Sequence, residues 1–235
     1  MEKYDGDLLS NFFRFPHTPH LAWLASGIPR DDKVLTPTEA KMLLAGEVVV
    51  EEKLDGANLG FSLGVDGRLR VQNRGQYLAE PYTGQFARLS PWLVQHGDAL
   101  VAQLTHDLIV FGEWCAAKHS LDYHTLPDWF LLFDVYECKA GKFWSTRRRD
   151  VLAAQAGLST VLLLCRGTTS LSALEALLDK QLSHYRDGHL EGMVIRYESA
   201  DWCEARAKLV RPDFTQTIAE HWRRRVLVWN RVRSV

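Results

Sequence analysis

Lys53 is the residue of this chain with the clearest chemical potential. It closes the apolar run Val48-Val49-Val50-Glu51-Glu52 and is followed at once by Leu54-Asp55-Gly56-Ala57-Asn58. Burial at the end of a strand disfavours the ammonium form of a lysine and lowers its pKa. The neutral amine is a nucleophile. Read by itself, the hexapeptide also fits a surface lysine leading into an Asp-Gly turn, and such turns are common. Four further places carry charge with a chemical use. Asp134 lies inside Leu131-Leu132-Phe133-Asp134-Val135, where a carboxylate needs a partner. Arg206 and Lys208 stand two residues apart in a strand-like stretch, so their side chains share one face. Arg147-Arg148-Arg149, and Arg223-Arg224-Arg225 with Arg231 and Arg233, are basic clusters that either hold a nucleic-acid backbone or form solvated helix surface.

The elements that must position these residues follow from local pattern. Thr36-Pro37-Thr38-Glu39 is a capping box with proline at the first helical position, opening a short helix that stops near Gly46. Strands are expected at about 47–54, 59–64 and 68–73, the last two joined by an Asp66-Gly67 hairpin turn. Ser90-Pro91 opens a helix through about Leu104. Leu108–Trp114 and Trp129–Tyr136 read as buried strands. A helix near 146–156, a strand near 159–165 and a helix near 172–185 follow, the last opened by a second capping box, Ser172-Ala173-Leu174-Glu175. Glu191–Tyr197 and Ala205–Val210 complete the strands. Phe214–Val232 reads as a C-terminal helix with Trp222, Val226 and Trp229 on its inner face. Hairpins outnumber βαβ units, so the fold class is α+β with antiparallel pairing.

Composition narrows the function classes less than the motifs do. The chain has 235 residues, 46% hydrophobic and 24% charged, with a formal net charge of −1. This is ordinary globular composition, and bulk charge neither marks nor excludes nucleic-acid binding. Cys115, Cys138, Cys165 and Cys203 form no CxxC pair and no disulfide framework, and the nine histidines show no HExxH spacing. The start of the chain carries no signal-peptide core and no apolar run reaches membrane-spanning length. A reduced, cytoplasmic protein is expected, organised as a single domain over 1–235.

Six stretches in order change the reading of Lys53: Lys53–Asn58, Gln72-Asn73-Arg74-Gly75, Phe111-Gly112-Glu113-Trp114, Phe133-Asp134-Val135-Tyr136, Glu191-Gly192-Met193-Val194-Ile195-Arg196 and Ala207-Lys208-Leu209-Val210-Arg211-Pro212. Together they resemble motifs I, Ia, III, IIIa, IV and V of the covalent nucleotidyltransferases, the superfamily of ATP-dependent polynucleotide ligases and mRNA capping enzymes. In detail they are most similar to the stand-alone RNA ligases. The resemblance implies a nucleotidyltransferase (ATP-grasp-like ligase adenylation) fold, with two antiparallel sheets forming an ATP cleft flanked by helices.

It also implies roles. Lys53 is the adenylated lysine, attacking the α-phosphate of ATP to give a lysyl–AMP. Lys208 contacts that phosphate, and Arg206 stands where some relatives have a lysine. Glu113 accepts from the ribose hydroxyls, for which a carboxylate is well suited. Phe133 stacks on adenine, and the backbone at Glu52 and Leu54 reads its edge. Arg74 touches ribose or the nucleic-acid backbone, and Asn58 orients phosphate or makes an Asx turn. Glu191 serves metal-dependent transfer, binding Mg2+ or Mn2+ directly or through water. Asp134 supports another site residue, Lys33 reaches the outer phosphates of ATP, and Arg211 makes either a phosphate contact or a structural ion pair. The implied reaction joins 5′-phosphate and 3′-hydroxyl RNA ends through an adenylated 5′ end, with Arg223, Arg224, Arg225, Arg231 and Arg233 engaging the RNA. DNA or an RNA–DNA hybrid is an alternative substrate, and an end-healing kinase or phosphatase would be a natural partner. Motif V is followed by about 23 residues, too few for the OB domain that many ligases carry. A DNA ligase of the same superfamily shares these motifs. A guanylyltransferase fits less well. A non-catalytic nucleic-acid-binding relative would keep the fold, but the set of Lys53, Glu113, Glu191 and Lys208 argues against it.

Overall fold

The computed structural model describes residues 12–27, 33–217 and 227–233. In chain order the elements are α1 (Pro37–Leu43), β1 (Val48–Lys53), β2 (Ala57–Leu63), β3 (Leu69–Asn73), β4 (Tyr77–Leu78), α2 (Leu89–Gln103), β5 (Leu108–Trp114), β6 (Phe130–Glu137), β7 (Lys142–Trp144), α3 (Thr146–Ala156), β8 (Ser159–Thr160), β9 (Leu163–Gly167), α4 (Leu171–Lys180), β10 (Gly192–Glu198), β11 (Trp202–Val210) and α5 (Pro212–Thr217). The Thr36 capping box forms as expected: the Glu39 amide donates to Thr36 Oγ1 and the Thr36 amide to Glu39 Oε2.

The strands hydrogen-bond in one path, β4-β3-β2-β5-β6-β7-β11-β10-β1-β9, with β8 added in parallel to β6. All other pairs are antiparallel. The protein is thus a mixed α/β structure built on one large, mainly antiparallel sheet with few helices. In place of two separate sheets there is a single ladder. Its halves meet at the three-residue β7, which pairs with the end of β6 through Phe143 and Lys142 and with the start of β11 through Phe143 and Trp144.

Each half has its own core. On one side Phe61, Trp92, Trp114, Phe130 and Leu132 pack β2, β5 and β6 against α2 and, through Leu152 and Ala153, against α3. On the other, Val48, Val50, Ile195, Ala207 and Leu209 pack β1, β10 and β11 against Ala40 and Leu43 of α1 and Leu174 and Leu178 of α4. Each buried side chain of this size contributes roughly 1.5–3 kcal/mol on leaving water. Alternation along a strand then fixes the opposite face: Glu51 and Lys53 of β1, Val194 and Arg196 of β10, and Arg206 and Lys208 of β11 all line one cavity.

Four local expectations are corrected. The strand near 159–165 is split into β8 and β9. Helix α4 begins at Leu171, because Ser170 rather than Ser172 is its cap, with Ser170 Oγ accepting from the Ala173 amide. It ends at Lys180, since Leu182 turns back to pair with His189. The expected helix over 214–232 is described as helix only in α5, and it does not reach Val232. Residues 227–233 are extended and pair with a distant loop, Trp229 with Ala117 and Val232 with Leu126. Trp222, Val226, Arg223, Arg224 and Arg225 lie outside the described residues.

Candidate active site

A cavity of about 430 Å³ opens between the two halves of the sheet. Lys53, Glu52, Leu54, Asn58, Arg74, Glu113, Phe133, Arg206 and Lys208 all line it. Residues separated by more than 150 positions are therefore brought to one concave site. Glu191 joins them through register. Lys53 lies opposite Gly192 in the β1–β10 ladder, which places the neighbouring Glu191 carboxylate 2.5 Å from Lys53 Nζ. The Glu191 side chain is 3% exposed and that of Lys53 27%.

The turn after Lys53 is held from several sides. Lys53 Nζ also donates to the Leu54 carbonyl at 3.2 Å. The Gly56 amide donates to Glu113 Oε1 at 2.9 Å. A Cβ on Gly56 would stand 2.5 Å from the Trp114 carbonyl oxygen, so only glycine lets the turn approach β5 this closely. Asp55 lines the cavity too, and its carboxylate is held by the neighbouring loop. Its Oδ2 accepts from the amides of Ser120 and Leu121, and its own amide donates to the Tyr123 hydroxyl at 2.8 Å. Glu52 is likewise structural: Ser183 Oγ and the His184 amide donate to its carboxylate. Its amide donates to the Leu162 carbonyl at 2.9 Å. The expected reading of a base edge therefore cannot use the Glu52 N–H.

A β-bulge shapes the opposite wall. In the β5–β6 ladder Phe111 pairs with Asp134 and Gly112 with Leu132, leaving Phe133 as the extra residue. A bulge re-aims side chains, and here it sends both Phe133 and its neighbour Asp134 into the cavity wall. Gly112 makes room for it: a Cβ there would meet the Phe130 ring at 2.4 Å.

Asp134 finds the partners its burial demands. It pairs with Arg196 at 2.7 Å and with Arg206, whose guanidinium lies over the rings of Phe15 and Phe143. Arg196 also pairs with Glu198 at 2.7 Å. The arginines of the Arg147–Arg149 run also have carboxylate partners. Arg149 is buried against Glu51 at 2.7 Å, Arg148 pairs with Glu137 at 3.1 Å, and Arg147 with Asp201 at 3.4 Å. Arg211 makes an ion pair with Asp213 at 3.1 Å. Lys33 is exposed and lies 3.8 Å from Glu39, and it does not line the cavity. Arg231 and Arg233 are exposed on the extended C-terminal segment.

Electrostatics correct one further expectation. Burial alone would pull the Lys53 ammonium down, but Glu191, Glu113 and Asp55 outweigh it, and the Lys53 pKa is raised. Burial pushes the Glu113 carboxyl up to about 7 and the Glu191 carboxyl up to about 8, each held back by Lys53. Three buried polar atoms of the site's side chains have no protein partner: Asn58 Oδ1, Arg74 Nε and Glu191 Oε2. Buried polar groups need partners. The cavity wall thus carries one unpartnered acceptor, at Asn58, and one donor, at Arg74, beside the cations of Arg206 and Lys208, with Glu191 Oε2 next to Lys53. That donor set, with an aromatic ring at Phe133, fits a nucleoside phosphate. Glu191 Oε2 also fits a divalent cation, and a magnesium-like ion takes few protein carboxylates and keeps several waters.

Sequence reasoning missed Arg196, Glu51, Tyr123 and the positioning role of Asp55. For Arg196 a signal existed, because a charge in the apolar run Met193-Val194-Ile195-Arg196 raises the same question as Asp134.

Solved structures of an RNA ligase share this fold. The Naegleria gruberi RNA ligase with PPi is 17% identical, with a TM-score of 0.58 over 88% of this chain and 64% of that one. A point mutant of it with ATP and Mn is 18% identical, with a TM-score of 0.57 over 73% and 52%. Another with AMP and Mn is 16% identical, with a TM-score of 0.55 over 88% and 64%. This chain therefore spans about half to two-thirds of the length of the structures it resembles. No curated protein matches it. The RNA ligase family model matches residues 46–210, a span that carries Lys53, Glu113, Glu191 and Lys208, and the chain belongs to the RNA ligase family.

Proposed function

We propose that this protein is an ATP-dependent RNA ligase working through a lysyl–AMP, on a nucleotidyltransferase fold. The observation that carries the reading is the Lys53–Glu191 pair, 2.5 Å apart at the edge of a cavity that also presents Arg74, Arg206 and Lys208. The Lys53 nitrogen attacks the α-phosphorus of ATP. The new N–P bond replaces the P–O bond to the β-phosphate, and pyrophosphate leaves with the electron pair. The amine must shed a proton for this, and Glu191 is placed to take it. The ionised form is the acceptor, and with a pKa of about 8 the carboxyl takes up that proton readily once ionised.

Charge on the transferring phosphoryl group is met by positioned cations more than by covalent chemistry. Lys208 and Arg206 supply them from one strand face, and Asp134 fixes the guanidinium of Arg206. Glu113 and Asn58 face each other across the β2–β5 ladder and provide acceptors for the ribose. Phe133 offers a ring to the base. A divalent cation, when bound at Glu191, supplies further positive charge at the phosphates.

AMP then passes to a 5′-phosphate end, and a 3′-hydroxyl displaces it to form the phosphodiester. The test compares matched, end-labelled RNA and DNA strands with a 5′-phosphate, incubated with ATP and Mg2+ or Mn2+. Sealed RNA with an adenylated 5′ intermediate is expected. Sealing of DNA alone would identify a DNA ligase, and sealing of neither strand would remove the ligase reading.

A further inference from the structure

The C-terminal segment is tied to the loop that holds the Lys53 turn, and one buried side chain makes the tie. Asn230 is 2% exposed. Its Nδ2 donates to the carbonyls of Cys115 at 2.8 Å and Ala117 at 3.2 Å, and its Oδ1 accepts from the Tyr123 amide at 2.9 Å. The backbone around it pairs with the same loop: the Asn230 amide donates to Ala116, and the Arg231 amide donates to the Tyr123 carbonyl. A buried primary amide with both donors and its oxygen satisfied by backbone fixes a single geometry.

That geometry reaches the site in one step. Tyr123 is 1% exposed, and its hydroxyl is the acceptor for the Asp55 amide, two residues from Lys53. Asp55 in turn caps Ser120 and Leu121 of the same loop. The loop and the turn are clamped to each other, and the C-terminal segment braces the loop from the other side.

We infer that Asn230 is a positioning residue for the Lys53 nucleophile, acting through the Tyr123 hydroxyl. The inference rests on the proposed role of Lys53. Nucleophilic attack depends steeply on alignment, and a misplacement of about 1 Å costs up to about 100-fold in rate. A loosened hydrogen-bonded turn is expected to cost about ten-fold. Neither Tyr123 nor Asn230 lines the cavity, so nucleotide affinity is expected to be spared.

The test is single-turnover autoadenylation of the full chain with labelled ATP, read as a maximal rate and a half-saturating ATP concentration. Tyr123→Phe keeps the ring and deletes only the hydroxyl, and Asn230→Ala deletes the tie. Each is expected to lower the maximal rate about ten-fold at unchanged half-saturation. Their double variant should be no slower than Asn230→Ala, because both act along one path. Val228→Ala, at an exposed position of the same segment, should match the parent. Amide hydrogen exchange gives a readout independent of activity: Asp55 should be strongly protected in the parent and exchange faster in both variants. A parent-like rate in Tyr123→Phe, effects that multiply in the double variant, or an unprotected Asp55 amide in the parent would each overturn the inference. A parent that never adenylates, with Asp55 protected, would instead refute the proposed function.

Discussion

Lys53 Nζ and Glu191 Oε1 stand 2.5 Å apart although 138 positions separate them in the chain. The β1–β10 register creates the contact, and the pair shares its surroundings with Glu113 and Asp55. The amine is thus not activated by burial. In the resting protein it is held as an ammonium beside these carboxylates, and the proposed attack requires that proton to move first. Glu191 is the nearest acceptor.

Glu191→Gln keeps the shape and a hydrogen bond to Lys53 but removes the acceptor. General-base assistance contributes about 100-fold or more, so autoadenylation at neutral pH should fall by that order while the fold persists. Rapid-quench measurement with labelled ATP, alongside circular dichroism, checks this. A Glu191→Gln variant within a few-fold of the parent would exclude the proton-acceptor role.

The raised carboxyls give a pH dependence with a definite sign. Below about 7 the Glu113 carboxyl is protonated, and below about 8 that of Glu191 is, so both are poor acceptors in acid. The adenylation rate should climb from about pH 6 to about pH 9 and then level. A rate–pH profile falling across this interval would contradict the assignment.

Glu113 also links stability to pH. Its folded-state pKa of about 7 exceeds the ordinary 4.5, so its contribution to stability is full below about 4.5 and is lost as pH rises through about 7. Glu113→Gln does not suffer that loss. Relative to the parent it should gain stability across this window and keep the gain above it, by about 1–2 kcal/mol once partial exposure is allowed for. Urea denaturation at the two ends of the window measures the difference. Equal offsets at both ends would show that the carboxyl is not perturbed.

Asp134→Asn removes the shared partner of Arg196 and Arg206. Breaking a buried pair leaves an uncompensated charge and costs about 3–5 kcal/mol. Glu198 and Glu51 still face Arg196, at 2.7 and 4.0 Å, so the lower end is expected. Chemical denaturation checks the value, and a change under about 1 kcal/mol would mean that the network is not structural.

The legible parts of this protein were those written in local pattern. The apolar run before Lys53, the Thr36 capping box and the paired faces of Arg206 and Lys208 all follow from spacing. Asp134 announced itself as a charge out of place. What stayed hidden depends on partners far along the chain. The bulge at Phe133 exists because of the register with Gly112 on another strand. Within one arginine run, Arg149 is core and Arg147 is surface, since α3 turns only one of them inward. Trp229 has helical spacing from Trp222 and Val226, yet the bonds of Asn230 to the 115–123 loop make its segment extended. The sign of the Lys53 shift required knowing how many carboxylates surround it.

The central claim is that Lys53 becomes covalently bound to AMP. The direct measurement is peptide mapping by mass spectrometry after incubation with ATP and Mg2+ or Mn2+, with Lys53→Ala in parallel. One acid-labile AMP is expected on the peptide that contains Lys53, released by added pyrophosphate, and none on the variant. An adduct on another residue, or full labelling of Lys53→Ala, would contradict it.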